Sequence, residues 1–586
     1  MIRINDHKQQ PLFDPWRFLS PKRRRMLEES WPGLFREHLL AELPVEKLRP
    51  FLREDFGAPS KELYTLMGTL LLQQTMDLTD AQTLEQLSFN IQWHYALNIT
   101  EESDSAKYVS QKTLWHWRQV LTEHHLDQMI FDQISTKLAA VFKVNTDAQR
   151  IDSVHIKSNM RKLSRIGIFA QTIAKFLISL KRHHGDLFET VKEQLIDRYA
   201  GPKALKAFSL VKPSESAKTL LQVSNELYDL IEQFKGHEAV AGRHSYKLMQ
   251  RVFAEHCQLS SDGSKCGVVI KTPKDVPTDS LQNPSDPDAA YSGHKGQGYQ
   301  VQVMESFTRH EDERKRPSRL NLITHVAVEK ANAHDGKALM PAIDASAECG
   351  LKPAMLLADT PYGSDKNVQD AHGSGVELIA PVKDAENGCQ RNVMGLEAFT
   401  FDENGPIAGC PAGHRPDNMR YKKKTKRFSA RFDRQRCQSC PQVEQCPIEP
   451  GKKYYYLWYS AKDARLACRR QFEASPAFID MYRWRAGVEA TMSQYDRLTG
   501  VKHLRVRGFK AVRFCATLKA AGLNLLRAAA VRMAQRAARR RTGHPRLSNF
   551  MPFLIVKEPT KRFWLKIRRI IQPLSNAGYD PVKTAA

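Results

Sequence analysis

The sequence contains no uninterrupted apolar run long enough to span a bilayer, and its N-terminus, MIRINDHKQQPLFDPW, lacks the apolar core of a secretion signal. Only 10 of its 586 residues are cysteine, which excludes a disulfide framework for a chain of this length. These shortages predict a cytoplasmic protein that is not inserted in a membrane.

Acidic residues are scarce relative to basic ones. The chain has 89 Lys and Arg against 64 Asp and Glu, which gives a net charge of +25. Such a charge suits a polyanion, so nucleic acid, and double-stranded DNA in particular, is the first partner to consider. On charge alone, a basic soluble or ribosome-associated protein remains an alternative. The length exceeds one ordinary hydrophobic core and predicts several domains or large insertions.

Residues 1–145 have the apolar spacing of helices, and Thr79 before DAQTLEQL is typical of a helix start. A second start at Ser110 opens a helix that carries two tryptophans and Arg118. That helix fits two interpretations: the DNA-reading helix of a helix-turn-helix, or a core helix that buries its tryptophans.

Strand alternation begins in QRIDSVHIKS, residues 149–158, where Asp152 shares one face with Val154 and Ile156. A carboxylate among β-branched side chains on a buried face is unfavourable unless it is paired or binds a metal. Helical patterns follow, and then a loop rich in Pro, Asp and Gly. These segments predict an insertion between the first strand and the second.

Further strand patterns occur at 298–306, 320–331, 353–359 and 376–382. With a helix on each side of the strand at 353–359, the order is β-β-β-α-β-α-β. That order predicts an α/β fold: a ribonuclease-H-like mixed sheet core with helical insertions, plus an N-terminal all-helical domain. The first and fourth strands are neighbours in this arrangement, and ligands gather where the strand order switches. Asp152 and Asp359 are therefore expected to meet.

A third carboxylate lies in the segment YRWRAGVEATMSQ. Tyr482, Arg485 and Glu489 are spaced at i, i+3 and i+7, so on a helix they line one stripe that would point Glu489 at the two aspartates. Three converging carboxylates need a cation. Oxygen ligands favour two Mg²⁺ or Mn²⁺ ions, which support phosphodiester cleavage and transfer. For Glu489 alone, a surface ion pair is the alternative.

These segments resemble the catalytic blocks of bacterial insertion-sequence DDE transposases, in particular the 1182 family. The blocks are QRIDSVHIKSN, LLADTPYGS and YRWRAGVEATMSQ, the last with the Y-x2-R-x3-E signature; the likeness extends to the N-terminal region and to ATLKAAGLNLLRAAA. It implies that Asp152, Asp359 and Glu489 are catalytic and hold the metal ions. It also implies binding to terminal inverted repeats, hydrolytic cleavage, transfer of the 3′-hydroxyl ends into target DNA, and a homodimer or higher multimer on DNA.

The sequence departs from this family at one position. The wider superfamily often has a lysine seven residues after the glutamate, where this chain has Asp496. Arg497 and Lys502 are the candidates to replace it. The predicted DNA-binding residues are Tyr482, Arg485, Arg497, Lys502, Arg505, Arg507, Lys422, Lys423, Lys424 and Arg427.

Four cysteines form a cluster in the sequence: Cys410, Cys437, Cys440 and Cys446. They are compatible with a structural Zn²⁺ site, with His414 as a substitute ligand. Reduced, buried thiols are the alternative. The segment RYKKKTKRFSARFDRQR between them is dense in basic residues and carries three aromatics, which predicts either a DNA clamp or a solvated charged face.

The predicted divisions are 1–145, a helical DNA-binding region; 146–159 with 286–400, the first part of the core; 160–285, a helical insertion with a Pro/Asp-rich loop; 401–460, a Cys-containing basic insertion; 461–535, catalytic helices; and 536–586, a basic tail. Two other functions remain open. One is a metal-dependent nuclease without strand transfer. The other is a catalytically silent DNA-binding relative.

Overall fold

The computed structural model describes residues 2–9, 14–53, 59–201, 204, 208, 210–260, 267–309, 318–383, 394–402 and 405–542. The chain divides into two compact units, Met1–Gln535 and Arg536–Ala586. Most of the predicted basic tail, from residue 543 onward, lies outside the described residues.

Helices fill most of the first 142 residues. The α-helices are α1 (Pro21–Glu29), α2 (Trp31–Leu34), α3 (Leu63–Thr75), α4 (Asp80–Phe89), α5 (Ile91–Ala96), α6 (Asp104–Lys107), α7 (Gln111–Glu123) and α8 (Leu126–Phe142). A π-helical turn, Phe35–Leu39, and two 3-10 segments, Leu40–Glu42 and Val45–Phe51, follow α2.

The predicted helix starts at Thr79 and Ser110 are confirmed. Thr79 forms a capping box with Gln82, and the Ser110 hydroxyl accepts from the Thr113 N–H. In α7, Trp117 is buried and Trp115 is exposed. The Arg118 guanidinium binds the Asp80 carboxylate, so it is used within the fold.

The first strand is β1 (Ala148–Lys157), and a helical insertion follows it. Its elements are α9 (Arg165–His183), α10 (Gly185–Glu189), α11 (Glu193–Ala200), a 3-10 turn (Pro213–Glu215), α12 (Ser216–Phe234), α13 (Glu238–Ala241), α14 (His244–His256), β2 (Cys257–Leu259) and β3 (Val268–Ile270). The helices bury a hydrophobic cluster of their own, with Phe169, Phe176, Leu227 and Met249 at its centre.

The main sheet contains β1 and five more strands. These are β4 (Ala290–Ser292), β5 (Gly296–Ser306), β6 (Ile323–Lys330), β7 (Met355–Leu357) and β8 (Glu377–Ile379), with a 3-10 turn (Asp335–Ala338), α15 (Leu339–Glu348), a 3-10 turn (Thr360–Tyr362) and α16 (Asp365–Gly373) between them. The order is β4-β5-β1-β7-β8, and β6 also pairs with β5. β1 is antiparallel to β5 and parallel to β7, so the first and fourth predicted strands are neighbours, as the sequence predicted.

Each face of this sheet is covered by a hydrophobic core. Val154, Ile156 and Val301 face the N-terminal helices and the C-terminal helices. Ile151 and Met304 face α15 and α16 on the other side. The alternation of β1 therefore directs residues 152, 154 and 156 toward the face that the C-terminal helices cover.

A smaller β-rich segment follows β8. It contains a 3-10 turn (Leu396–Ala398), β9 (Thr400–Phe401), β10 (Ile407–Gly409), β11 (Asn418–Lys422), β12 (Arg427–Asp433), α17 (Arg434–Gln438), β13 (Glu449–Pro450) and β14 (Tyr454–Ser460). β9 pairs with β10, and the other four strands form an antiparallel sheet in the order β11-β12-β14-β13. Phe399, Ile407, Phe432 and Tyr459 belong to the core of this segment.

The last described elements are α18 (Ala461–Glu473), α19 (Pro476–Tyr482), a 3-10 turn (Arg483–Ala486), α20 (Gly487–Thr499), a 3-10 turn (Val501–His503) and α21 (Phe509–Thr542). In α21, the Asn524 side-chain amide donates to the Ile323 carbonyl and its oxygen accepts from the Ile323 N–H, each at 2.8 Å. This side chain therefore satisfies both backbone hydrogen-bonding groups of Ile323, the first residue of β6.

Helix α21 also bears on the membrane prediction. Its residues Phe509–Arg540 are long and apolar enough to cross a bilayer by length and composition, although no such run was expected from the sequence. The most apolar 18-residue stretch of this helix is 89% buried inside the protein, as is typical of a core helix.

Candidate active site

Three carboxylates from distant parts of the chain surround one guanidinium. Arg485 Nη2 lies 2.8 Å from Asp152 Oδ2 and 3.3 Å from Asp359 Oδ2, and Arg485 Nη1 lies 3.8 Å from Glu489 Oε1. The Arg485 side chain is 16% exposed, whereas that of Glu489 is 73% exposed. The group therefore opens to solvent on the Glu489 side.

The two aspartates are oriented by the strands and by their own backbone. In the parallel register Arg150 is opposite Leu357, and Asp152 and Asp359 each lie two residues further along. Asp152 Oδ1 accepts from the Ser153 N–H at 2.8 Å, and Asp359 Oδ1 accepts from the Thr360 N–H at 2.9 Å. The second oxygen of each carboxylate is the one that faces Arg485.

The segment that carries Glu489 is not the continuous helix predicted from its spacing. Tyr482 ends α19, Arg485 lies in the 3-10 turn Arg483–Ala486, and Glu489 is in the first turn of α20. The prediction of one continuous helix is therefore wrong, because a change of helix type separates the three residues. Their side chains still share a direction, since Arg485 contacts Glu489 and Tyr482 lies beside Asp359. The 3-10 turn still directs Arg485 toward the aspartates.

A buried charge network holds this segment against the sheet. The Glu305 carboxylate on β5 is fully buried and lies 2.7 Å from Arg150 Nη2 and 2.9 Å from Arg527 Nη1. It also accepts from the Thr491 hydroxyl on α20 at 2.6 Å. Arg150 Nη1 donates to the Trp484 carbonyl at 2.6 Å. One carboxylate thus links two strands to the turn and helices around Glu489.

Gly487 is required by the same network. A Cβ atom at this position would lie 2.0 Å from Arg150 Nη1 and 2.6 Å from its Cζ. Because Arg150 is held by both Glu305 and the Trp484 carbonyl, the guanidinium has little freedom to move away. The close approach of α20 to β1 therefore depends on a residue without a side chain.

A second polar cluster adjoins Asp152. Lys295 Nζ donates to the Ser153 hydroxyl at 2.9 Å and lies 3.4 Å from Asp335 Oδ2. The Gln302 amide donates to Asp335 Oδ1 at 3.0 Å, and its oxygen accepts from the Tyr362 hydroxyl at 2.5 Å. The cluster places a fourth carboxylate and a lysine close to Asp152.

Two models of known families match parts of the chain. Residues 409–529 match the family described as Transposase DDE domain, and residues 29–120 match the Transposase domain (DUF772). Together the two matches indicate an insertion-sequence DDE transposase. Glu489 lies inside the first matched range, whereas Asp152 and Asp359 lie outside both. No curated protein matches the sequence.

Burial raises the pKa of Asp152, and the charges of Asp359 and Asp335 act in the same direction. The Arg485 guanidinium and the Ser153 N–H oppose that rise. Burial also raises the pKa of the Tyr482 phenol to about 12, with Asp359 and Asp152 contributing. Tyr482 is thus a neutral hydroxyl beside the acids at physiological pH.

A cleft extends from the acids along α20. Its lining includes Asp152, Glu489, Asp496 and Lys502. Lys502 is half-buried there, whereas Arg497 is exposed and is not among the lining residues. Of the two candidates for the missing lysine, Lys502 is the one near Glu489.

The other predicted DNA-binding residues lie in two places. The Arg505 guanidinium binds Asp77 at 2.9 Å, and Arg507 donates to the Asn159 side chain at 2.9 Å. Four more are exposed on the hairpin of β11 and β12: Lys422, Lys423, Lys424 and Arg427. The structure does not bring that hairpin into the lining of the cleft.

The four clustered cysteines line one small cavity, with His414 at its edge. Burial raises the pKa of Cys437 to about 11, with smaller contributions from Cys446, Cys410 and Cys440, so the four sulfurs are neighbours. In the part of the chain that the structure describes, however, no group of three or more His, Cys, Asp or Glu side chains is arranged to hold a metal ion.

This finding applies to the acids as well. The Arg485 guanidinium contacts all three carboxylates, so the protein's own cation balances part of their charge. Oxygen donors of this kind are the ones that Mg²⁺ and Mn²⁺ prefer. The three carboxylates therefore supply the donor chemistry of a divalent-metal site, although the described residues are not arranged around an ion.

Sequence reasoning missed the residues that support the site. Arg150 precedes Asp152 by two positions, so strand alternation places both on one face, and this pattern was available in the sequence. Glu305 also stands out as a charge within the strand GYQVQVMES. Asp335 and Lys295 carry no comparable signal, because each lies in a turn among other polar residues.

Proposed function

We propose that this chain is an active transposase. It binds the terminal inverted repeats of an insertion sequence, cleaves the DNA there and joins the 3′-hydroxyl ends to target DNA. One observation carries the proposal: acids from β1, from the loop after β7 and from α20 converge on a single cation. Exposed surface ion pairs contribute little free energy, whereas this arginine side chain is only 16% exposed and contacts three carboxylates.

Asp152, Asp359 and Glu489 would hold two Mg²⁺ or Mn²⁺ ions. When bound, these ions supply activation of the attacking hydroxyl and neutralisation of charge on the phosphate. Asp152 and Asp359 keep one oxygen each on the backbone, so their free oxygens are already directed to a common point. Glu489, the most exposed of the three, is free to close the ligand set.

The chain's own residues would orient the DNA. When DNA binds, Arg485 would move away from the carboxylates and contact a DNA phosphate, where its guanidinium can bind two oxygens at once. The Tyr482 hydroxyl would donate to the sugar-phosphate backbone of the DNA beside Arg485. We assign the terminal phosphate contact to Lys502, which shares the cleft with Glu489. Lys423 and Lys424 of the basic hairpin would hold duplex DNA outside the cleft.

The strand order supports a ribonuclease-H-like core, with the helical and Cys-containing segments inserted into it. We retain the six predicted divisions, the 1182 family, a homodimer or higher multimer on DNA, and a cytoplasmic location on the nucleoid as parts of the same proposal.

The test is cleavage of DNA that carries the element ends, with Mg²⁺, by Asp152→Asn, Asp359→Asn and Glu489→Gln. Each variant should bind the ends and release no product. Asp480→Asn is the matched control and should retain cleavage, because Asp480 is exposed and pairs with Arg483. Retained cleavage in any triad variant would refute the assignment.

The same reaction separates the two other functions. A nuclease without strand transfer would yield cleaved ends and no joined product. A catalytically silent relative would bind the ends and cleave nothing even with its acids intact. Joined products that depend on all three acids are expected from the proposed transposase.

We also propose that the cysteine cluster holds a structural Zn²⁺ ion, because four thiols line one cavity within the small β-rich segment. Purified protein should contain about one zinc per chain by elemental analysis. Cys440→Ser should lower that content, and the exposed Cys468→Ser should leave it unchanged. Zinc-free protein of unchanged stability would support reduced thiols instead.

A further inference from the structure

The four-stranded sheet β11-β12-β14-β13 has two very different faces. On β14, Leu457 and Tyr459 are buried in the core of the β-rich segment. Tyr454, Tyr456 and Trp458 alternate with them and are only partly covered. Because successive side chains of a strand point to opposite faces, these three rings line the face away from the core.

Basic side chains occupy the same face. In the register of the sheet, Arg431 is opposite Tyr456, and Lys422 is opposite Arg427. Arg420 is opposite Ser429, which is in turn opposite Trp458. Directly opposed residues of antiparallel strands share a face, so four cations and three aromatic rings form one surface.

The rings and cations of this surface are in contact. Lys422 Nζ lies 4.1 Å from the centroid of the Trp458 ring. Arg431 Cζ lies 5.9 Å from the Tyr456 ring and 6.0 Å from that of Tyr454. The Tyr456 and Trp458 rings are nearly parallel, at 14°. The acids on this face, Asp433 and Glu449, lie opposite Tyr454 and Tyr456, away from Lys422.

We propose that this face binds unpaired nucleotides of DNA. Bases would stack on Tyr456 and Trp458, and Lys422, Arg420 and Arg427 would contact the phosphates. A base on Trp458 displaces the Lys422 ammonium from the ring, which frees it for phosphate. Rows of aromatic rings beside cations are how proteins bind single strands, since each base offers a flat face for stacking.

Unpaired DNA is favoured over duplex DNA and over an acidic protein. In a duplex the base faces are covered by their neighbours, so the rings would have nothing to stack on. An acidic peptide would pair with the basic side chains, but it would offer nothing to stack on the aromatic rings. The inference rests on the proposed function for its biological role, because a chain that opens DNA ends exposes unpaired nucleotides there.

The experiment compares two oligonucleotides of about 12 nucleotides, one of thymidylate and one abasic, so that both carry the same phosphates. Binding to the full chain is measured by fluorescence anisotropy in EDTA, where no cleavage occurs. Trp458→Ala and Tyr456→Ala should each weaken thymidylate binding about tenfold and leave abasic binding unchanged. Trp458→Phe should retain most of the affinity.

Tyr421→Ala is the matched control. Tyr421 is 51% exposed, but it is opposite Phe428 and lies on the other face of the same sheet, so its loss should change neither affinity. Circular dichroism establishes whether each variant is folded. If Trp458→Ala does not fold, the test uses Tyr456→Ala.

Equal losses on the two oligonucleotides, or an equal effect of Tyr421→Ala, would overturn the proposal. Competition by polyglutamate as strong as that by the thymidylate oligonucleotide would overturn it in favour of an acidic protein. Asp152→Asn should bind thymidylate like the unaltered chain. The proposed catalysis and this surface can therefore fail independently.

Discussion

Arg485 Nη2 contacts Asp152 Oδ2 at 2.8 Å across 333 positions of the chain. The same guanidinium reaches Asp359 and Glu489, so a single side chain balances part of the charge of all three acids. The site is thus assembled by the protein's own cation. Four predictions follow from this site and its supports, and one from the basic hairpin.

Removing the guanidinium should make the stability of the protein depend on metal. Arg485→Gln leaves three carboxylates without their shared cation, and we expect a loss of roughly 1 to 3 kcal/mol in the free energy of unfolding. Mn²⁺ should restore more stability to this variant than to the unaltered chain. Thermal unfolding in EDTA and in Mn²⁺ measures both effects.

Arg483→Gln is the control for that experiment. Arg483 lies in the same 3-10 turn, but it is 61% exposed and pairs with the exposed Asp480. Its loss should cost less than about 1 kcal/mol and should not change the response to Mn²⁺. An Arg485→Gln protein that is indifferent to EDTA and Mn²⁺ would contradict the role assigned to Arg485.

The raised pKa of Asp152 predicts a pH dependence of stability. Between its ordinary value of 3.8 and the raised value, the folded state binds more protons than the unfolded state, so stability falls as pH rises through that window. Asp152→Asn has no carboxyl group to titrate here, so its stability does not fall in this window. In EDTA, the free energy of unfolding of Asp152→Asn relative to that of the unaltered chain should therefore increase as pH rises from about 4, and should become constant above the raised pKa. A parallel pH profile for the two proteins would contradict the shift.

Glu305 should be among the most sensitive positions in the fold. Glu305→Gln leaves Arg150 and Arg527 buried without their carboxylate, which we expect to cost about 3 to 5 kcal/mol. Denaturant unfolding measures the loss. Asp480→Asn removes one partner of an exposed ion pair and should change stability by less than about 1 kcal/mol. Similar values for the two variants would show that the buried network contributes little.

Gly487→Ala tests the contact between α20 and β1. The added methyl meets the Arg150 guanidinium, so either the network or the helix must shift, at a cost of about 1 to 3 kcal/mol. Cleavage should fall as well, because Glu489 moves with the helix. Ala490→Ser, on the exposed side of α20, should change stability by less than about 0.5 kcal/mol. Normal stability and cleavage in Gly487→Ala would remove this support for the site.

The basic hairpin should set the salt dependence of duplex binding. Each phosphate contact that is lost reduces the slope of log affinity against log salt by about 0.9. Lys423→Ala and Lys424→Ala should therefore lower the slope, whereas a solvated charged face predicts no change. Lys337→Ala, in the 3-10 turn Asp335–Ala338, is a control outside the hairpin. Titrations at several salt concentrations provide the slopes.

Much of this site was predictable because its signals are local. The alternation around Asp152 and the apolar strand before Asp359 predicted two strands, and the order of elements predicted that they are neighbours. The spacing of Tyr482, Arg485 and Glu489 predicted a common direction. It did not predict the 3-10 turn between them, where the Trp484 carbonyl accepts from Arg150, a residue 334 positions earlier in the chain.

The remaining features depend on pairings between distant residues. That Glu305 binds both Arg150 and Arg527 follows from the register of β1 on β5 and from the position of α21. That Arg485 is placed among the acids instead of being exposed follows from the whole fold. The partners of Lys295 and Asp335 likewise appear only when the loops are in place.

Asn524 has a consequence for how this chain is made. It lies 201 positions after Ile323, yet it binds the backbone of β6 there, and Phe514 and Leu518 of the same helix share a core with β1. A nascent chain that does not yet include α21 therefore lacks the side chain that binds the first residue of β6. Catalytic competence should arise only after α21 has been translated, so copies that terminate before it would not cleave DNA.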